Sequence, residues 1–164
     1  MDNYSFLNDD NFLEAKEKKQ PYFFKNIGLD LLTWQDIIIE LERHIQNGIQ
    51  HEVENNLRFI LLHPIHPKII NFIQEFKKLQ PNLRSNAHIY LAMLTNSGGN
   101  GRHKDNEEVI FWQVCGKTHW TVEAETNLQY ILEPNDAIYI PANMYHKVIT
   151  LTPRAGISFG LEYD

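Results

Sequence analysis

The chain divides near residue 87 into a stretch with apolar residues at helical spacing and a stretch of short alternating runs. Upstream, Trp34, Ile37, Ile38, Leu41 and Ile45 recur at intervals of three and four, which gathers them on one side of a helix. Thr33 with Asp36 makes a capping-box start, and Gly48 a stop. A helix over about 33–47 is predicted. Pro67 suits the first turn of a second helix over 67–79, with Ile69, Ile70, Ile73 and Phe76 as its apolar side. LRFILL, from Leu57, is a short apolar run of buried-strand length, and PYFFKNI, from Pro21, reads as a strand entering the fold. The first twenty residues are polar and charged and are expected to form a loosely held arm. From Ala87 onward, strands are predicted at 87–95, 108–115, 118–123, 128–132, 137–140, 145–151 and 156–162. The expected class is mainly β (α+β): one domain over 1–164, with an arm at 1–20, an α/β extension of two helices at 21–86, and an antiparallel barrel at 87–164. No internal repeat or low-complexity linker interrupts it.

Chemistry concentrates in the barrel. In an extended strand, residues i and i+2 point to one face, so His103 and Asp105 of the triplet His103-Lys104-Asp105 can aim an imidazole and a carboxylate into one cavity. His146, which closes the segment DAIYIPANMYH, supplies a second nitrogen from a neighbouring strand. Taken singly, each is commoner as a surface or hydrogen-bonded residue. Together, two histidines and one carboxylate leave metal positions open, the arrangement suited to non-haem Fe(II) that must bind a cosubstrate and dioxygen. The remaining histidines carry less. His63 and His66 have ligand-like spacing but sit among prolines at a helix start, His119 should face outward in step with Lys117, and His44, His51 and His88 have no chemical company. Trp112 and Trp120 are read as barrel packing, and Cys115 as a small hydrophobe.

From about residue 87 to the end, the segments AHIYLAML, RHKDNEEVIFWQVCGKTHW, LEPNDAIYIPANMYHKV and ISFGLEYD resemble the JmjC-type and cupin-like branch of the Fe(II)/2-oxoglutarate oxygenases. That resemblance implies a double-stranded β-helix (jelly-roll) fold, with His103, Asp105 and His146 as iron ligands. It also implies 2-oxoglutarate and O2 as reactants, and hydroxylation as the outcome. Cupin-type barrels place glycine where this chain has Asn135 and Asn143; asparagine tolerates the left-handed backbone region best among other residues, so both turns should keep their shape. One departure matters more. Aligning Gln113, Gly116 and Trp120 with the family's pattern puts Thr118 where a Lys or Arg usually binds the distal carboxylate of 2-oxoglutarate. A hydroxyl supplies no charge-assisted fork, so a cation must come from elsewhere. Lys117 points away by strand alternation. Arg154 is the preferred candidate, although its Thr-Pro-Arg-Ala-Gly surroundings suit a solvated turn. Tyr90, Asn100 and Ser158 fall where relatives contact the cosubstrate.

Composition narrows the partners. The formal net charge of −6 and pI near 5.7 disfavour nucleic acid, whose binding usually rests on a basic surplus. A single cysteine excludes an internal disulfide and points to a reducing, cytoplasmic setting. No signal peptide and no membrane-length apolar run is read. The expected primary substrate is a protein or peptide side chain, and homodimerisation through the N-terminal third stays open. A second class also stays open: a metal-binding cupin that does not use 2-oxoglutarate, either a small-molecule binding module or a dioxygenase or isomerase that binds its substrate directly on the metal.

Overall fold

The computed structural model describes residues 5–28, 32–49, 51–54, 57–79, 83–95 and 98–163. Helix α2 spans Trp34–Asn47 and α3 spans Pro67–Leu79. At the start of α2 the Thr33 hydroxyl accepts from the Asp36 amide while the Asp36 carboxylate accepts from the Thr33 amide, and Gly48 ends the helix at φ 62°. Both ends are therefore as the sequence predicts. The buried face of α2 differs, however. Ile38 and Ile45 are exposed at 44% and 57%, and the turn-spaced residues that face inward are Ile37, Glu40 and His44. The two polar residues are tied down: His44 Nε2 meets the Leu62 carbonyl at 2.8 Å, and Glu40 accepts from the Ile65 amide at 2.6 Å. His44 therefore has company that periodicity alone did not show. In α3, Phe72 takes the core position and Ile70 turns outward.

The expected polar arm is instead ordered structure. A 3-10 turn at Ser5–Asn8 leads into α1, Asp10–Glu17, capped by the Asp9 carboxylate accepting from the Phe12 amide. Leu7 and Phe12 are buried, and Phe12 packs edge-on to Tyr139 at 5.4 Å. Few apolar residues anchor this segment, so its average polarity concealed them.

The strands are β1 Tyr22–Phe24, β2 His51–Glu54, β3 Arg58–Leu62, β4 Leu83–Ala92, β5 Gly98–His103, β6 Glu108–Cys115, β7 Thr118–Glu123, β8 Asn127–Leu132, β9 Ala137–Ile140, β10 His146–Thr150 and β11 Arg154–Tyr163. They form a seven-stranded sheet in the order β1-β9-β6-β11-β4-β3-β2 and a four-stranded sheet β5-β10-β7-β8, with the described pairings antiparallel. This is the double-stranded β-helix of the cupin class. The larger sheet reaches beyond the expected barrel: β1 closes one edge, and β3 with β2 the other. β11 begins at Arg154 rather than 156, which takes that residue out of a turn. β5, in the glycine-rich GGNGRH, had no apolar alternation to announce it.

The larger sheet is buried on both faces, which accounts for the unbroken burial of β6 from Val109 to Cys115. One face packs on the helices, with Phe72 of α3 4.1 Å from Phe159 and stacked at 6.0 Å on Trp112. The other meets the smaller sheet across a core of Val109, Phe111, Trp120, Val122, Leu132, Ile138 and Ile140. Asn135 and Asn143 adopt φ 76° and 64°, the left-handed conformation expected of them. Among the described residues no helix is long and apolar enough to cross a membrane.

Candidate metal centre

His103 and His146 are direct cross-strand partners on β5 and β10, so their side chains share a face and their rings lie 4.3 Å apart. Asp105 is not on the strand. β5 ends at His103, and Asp105 follows in the loop. Its backbone is fixed by the left-handed turn opposite, where the Asn143 amide donates to the Asp105 carbonyl at 2.7 Å. Alternation alone therefore did not orient the carboxylate; a hydrogen bond to the β9–β10 turn holds its backbone. The result is a cluster whose potential ligand atoms all lie within 4.8 Å of one another, with Asp105 Oδ2 3.6 Å from His146 Nε2 and Oδ1 4.0 Å from His103 Nε2.

The two imidazoles are oriented alike. His103 Nδ1 lies 3.2 Å from the Gly101 carbonyl and His146 Nδ1 lies 3.1 Å from the Met144 carbonyl. A carbonyl only accepts, so Nδ1 carries the proton in both rings and the Nε2 lone pairs point into the cluster. Metal-ligating histidines are anchored in this way. Burial, and secondarily the neighbouring His103, hold the His146 imidazole below its ordinary value, against the Met144 hydrogen bond and Asp105. The effect favours the neutral form a metal needs. Trp120 stacks on His146 with ring centroids 5.7 Å apart. On the outer face Arg102 grips Glu123 through two bonds of 2.6 and 2.7 Å and lies 3.7 Å over the Tyr145 ring, bracing the glycine-rich β5. Two imidazole nitrogens and a carboxylate, with the remaining directions open to a cavity, fit a divalent metal that keeps exchangeable positions.

That cavity encloses about 90 Å³ between the sheets. Its lining includes the triad together with Tyr90, Asn100, Arg154 and Ser158, so those predicted residues and the metal cluster come together. Thr118 does not line it. Its hydroxyl is spent in the core, donating to Gln113 Oε1 at 2.7 Å and accepting from Trp120 Nε1 at 3.0 Å. Gly156 lets the Phe111 ring of the lining pack against its strand: a Cβ there would meet that ring at 2.1 Å. Arg154 is only 4% exposed, its guanidinium 5.9 Å from the Tyr90 ring centre and 5.7 Å from that of Phe111. Burial first, and then Arg58, lower it to about 10.

Sequence reasoning missed four polar contributors to this lining: Arg58, Asn86, His88 and Glu107. Arg58 left a usable signal, a single charge inside the apolar run LRFILL. Asn86 and His88 left none, since their place depends on β4 facing the cavity with its even-numbered residues. Lys117 and His119 point outward as alternation requires, and Lys117 pairs with Glu133. The Cys115 thiol is pushed up to about 11, chiefly by burial, in keeping with an unreactive side chain.

No family model matches the chain, and no curated protein matches it in sequence. Solved structures do. The Escherichia coli protein YcfD aligns over 96% of this chain with a TM-score of 0.75 at 16% identity. The structure of YcfD, described as a ribosomal oxygenase, in complex with cobalt and 2-oxoglutarate aligns over 95% with a TM-score of 0.74 at 15% identity. An RmlC-like cupin from Shewanella frigidimarina covers 70% of the chain and 85% of its own length, with a TM-score of 0.50 at 12% identity. At such identities the likeness establishes the fold. The chain spans about half the length of YcfD, 53% and 52% in the two structures.

Proposed function

We propose that this chain is an Fe(II)- and 2-oxoglutarate-dependent oxygenase that hydroxylates a protein or peptide side chain in the cytoplasm. One observation carries the reading: a single cavity joins an open three-donor metal cluster to a buried cationic lining, at His103, Asp105 and His146 on one side and Arg154 on the other. The cobalt and 2-oxoglutarate bound by the structurally similar ribosomal oxygenase support both the ligand pair and a protein substrate.

The residues divide the work. His103 and His146 would hold the metal through Nε2 and Asp105 through its carboxylate. Iron bound there supplies the redox chemistry that couples O2 reduction to decarboxylation of 2-oxoglutarate, one oxygen atom entering succinate and the other the substrate. Arg154 provides positive charge for the distal carboxylate, and Tyr90, Asn100 and Ser158 provide polar contacts beside it. Phe111, Val109 and Trp120 wall the cavity with apolar surface, which limits water around the reacting centre.

The test is anaerobic titration of the Fe(II)-loaded protein with 2-oxoglutarate. A visible charge-transfer band and, in air, succinate formation are expected. Failure to bind 2-oxoglutarate at millimolar concentration would overturn the reading in favour of a cupin that does not use it.

A further inference from the structure

Glycine after asparagine leaves the next backbone nitrogen unhindered and the chain free to bend, so in Asn-Gly the side-chain amide is open to attack by its own backbone. The sequence has two such pairs, Asn47-Gly48 and Asn100-Gly101, and the fold treats them differently. At the end of α2 the Gly48 N–H is committed to the carbonyls of His44 and Ile45, and the Asn47 amide donates to the Arg43 carbonyl at 2.9 Å. Nucleophile and target are both tied into the helix cap. Asn100-Gly101 stands in a bulge instead. Lys147 of β10 faces Arg102 and Ile149 faces Gly98, so Gly99, Asn100 and Gly101 stand opposite Val148 alone, and Gly101 takes φ 73°. A bulge disrupts the ladder around it. Asn100 is exposed, yet its Oδ1 receives Arg58 Nη2 at 2.6 Å, and Arg58 is only 7% exposed. A guanidinium held on a carbonyl oxygen stabilises the negative charge that gathers there when a nucleophile adds to the carbon.

We propose that Asn100-Gly101 is a self-modifying site, at which the chain converts its own asparagine to aspartate and isoaspartate with Arg58 assisting. The Gly101 nitrogen gives up its proton to water and adds to the Asn100 side-chain carbonyl carbon, and the oxyanion forms against Arg58. The bond from that carbon to the amide nitrogen then breaks, ammonia leaves, and a succinimide closes. Water opens the ring at either carbonyl, yielding aspartate or isoaspartate; nothing is oxidised or reduced. The products reach the metal centre from two directions. The Gly101 carbonyl lies 3.2 Å from His103 Nδ1 and orients that ring. Isoaspartate carries the backbone through the former side chain, adding one methylene before Gly101 and so displacing the carbonyl. Aspartate keeps the backbone length but sets a carboxylate against Arg58 in the cavity lining. The conversion itself rests on the bulge and Arg58, and not on the function proposed above.

The experiment is incubation of the purified protein in heavy-oxygen water at mildly alkaline pH, with peptide mapping by mass spectrometry over time. Each conversion takes up one solvent oxygen, so both asparagines are followed in the same molecule and Asn47 is the internal reference. In the folded protein Asn100 should convert about tenfold faster than Asn47, the worth of one charge-assisted donor at an oxyanion. In the urea-unfolded chain, where cap, bulge and Arg58 contact are all lost, the ratio should fall to about one. R58M should slow Asn100 by about tenfold while Asn47 keeps its wild-type rate, which also reports that the helix cap is intact. Isoaspartyl protein, separated chromatographically, should bind Mn(II) more weakly than N100D, whose backbone length is unaltered. A folded-state ratio no greater than the unfolded one overturns the site, and needs no variant. An unchanged or faster Asn100 conversion in R58M overturns the part given to the arginine. Equal Mn(II) affinities in the isoaspartyl protein and N100D overturn the link to His103. These measurements use neither 2-oxoglutarate nor O2, so they stand or fall apart from the oxygenase reading.

Discussion

Replacing Thr118 with valine removes one hydroxyl from the core and leaves its shape almost unchanged, which makes the substitution a sharp test of what that position does. In the folded protein the hydroxyl serves two buried partners at once, Gln113 Oε1 at 2.7 Å and Trp120 Nε1 at 3.0 Å. Thr118 and Gln113 are fully buried, and Trp120 is 3% exposed, so water cannot substitute. Each buried polar group left unpaired costs about 1–3 kcal/mol. Gln113 retains its bond to the Cys115 carbonyl, but its Oε1 and the indole N–H both lose their partner. The expected loss is about 2–4 kcal/mol, the lower part of the sum for two such groups, because valine buries one more methyl group in the same shape. With a urea m value of about 2 kcal/mol/M, the unfolding midpoint falls by about 1–2 M at unchanged m. Equilibrium unfolding followed by far-UV circular dichroism measures it. In a Trp120→Phe background the same substitution should cost about 1 kcal/mol less, because the indole donor is already gone. Thr118 lies apart from the cavity lining, so 2-oxoglutarate affinity should stay at the wild-type level. A loss under about 0.5 kcal/mol, or a selective loss of 2-oxoglutarate binding at unchanged stability, would refute the structural role and return Thr118 to the cosubstrate.

Asp105→Ala and His146→Ala should each abolish tight, one-to-one Mn(II) binding in calorimetry with an unaltered far-UV spectrum; full metal occupancy in the double variant His103→Ala/His146→Ala would rule the cluster out. Asn143 holds φ 64° and donates its amide to the Asp105 carbonyl, so Asn143→Gly should preserve Mn(II) affinity. Asn143→Val should weaken it and lower stability by about 1–2 kcal/mol, the cost of a branched residue in the left-handed region. Cys115 tests pH dependence. Its folded value, raised to about 11 from 9.0, means the thiol contributes stability that is fully present below about 9 and is lost as pH rises toward 11. Native-state alkylation should therefore keep accelerating up to that pH, whereas alkylation of the unfolded chain levels off earlier, and Cys115→Ala should flatten the alkaline fall in stability. An early plateau in the native protein would contradict it.

What was legible in the sequence is what depends on one residue and its near neighbours. The capping box at Thr33, the left-handed asparagines at 135 and 143, and the outward Lys117 and His119 all follow from local backbone chemistry, and all appear as read. The histidine pair was legible because both residues sit on strand ends that the barrel brings together. The helix faces were read less well, because periodicity cannot distinguish a buried Glu40 and His44 from exposed ones. Apolar neighbours Ile38 and Ile45 share a helix with them, and only contact with β3 decides which side turns inward.

The misplacing of Thr118 and the oversight of Arg58 have a common cause. Position in a family pattern indicates which residue is aimed at a site, but burial of a sheet on both faces makes aim depend on register between strands distant in sequence. Arg58 and Arg154 are 96 residues apart in numbering, and nothing local relates them. They become neighbours only because β3 and β11 both pair with β4 in registers that converge on Ala92. The need for a cation other than Thr118 could thus be inferred from chemistry, since a buried carboxylate requires a partner, and Arg154 named for it, while the approach of Arg58 could not. A one-residue slip of β3 against β4 would turn Arg58 to the helix-facing side, where Leu61 and Ile89 now pack. Phe59 and Leu61 pack on the helix side of this strand, and the register that seats them sends the arginine into the cavity, so the core of this strand and the charge of the site are set by the same pairing.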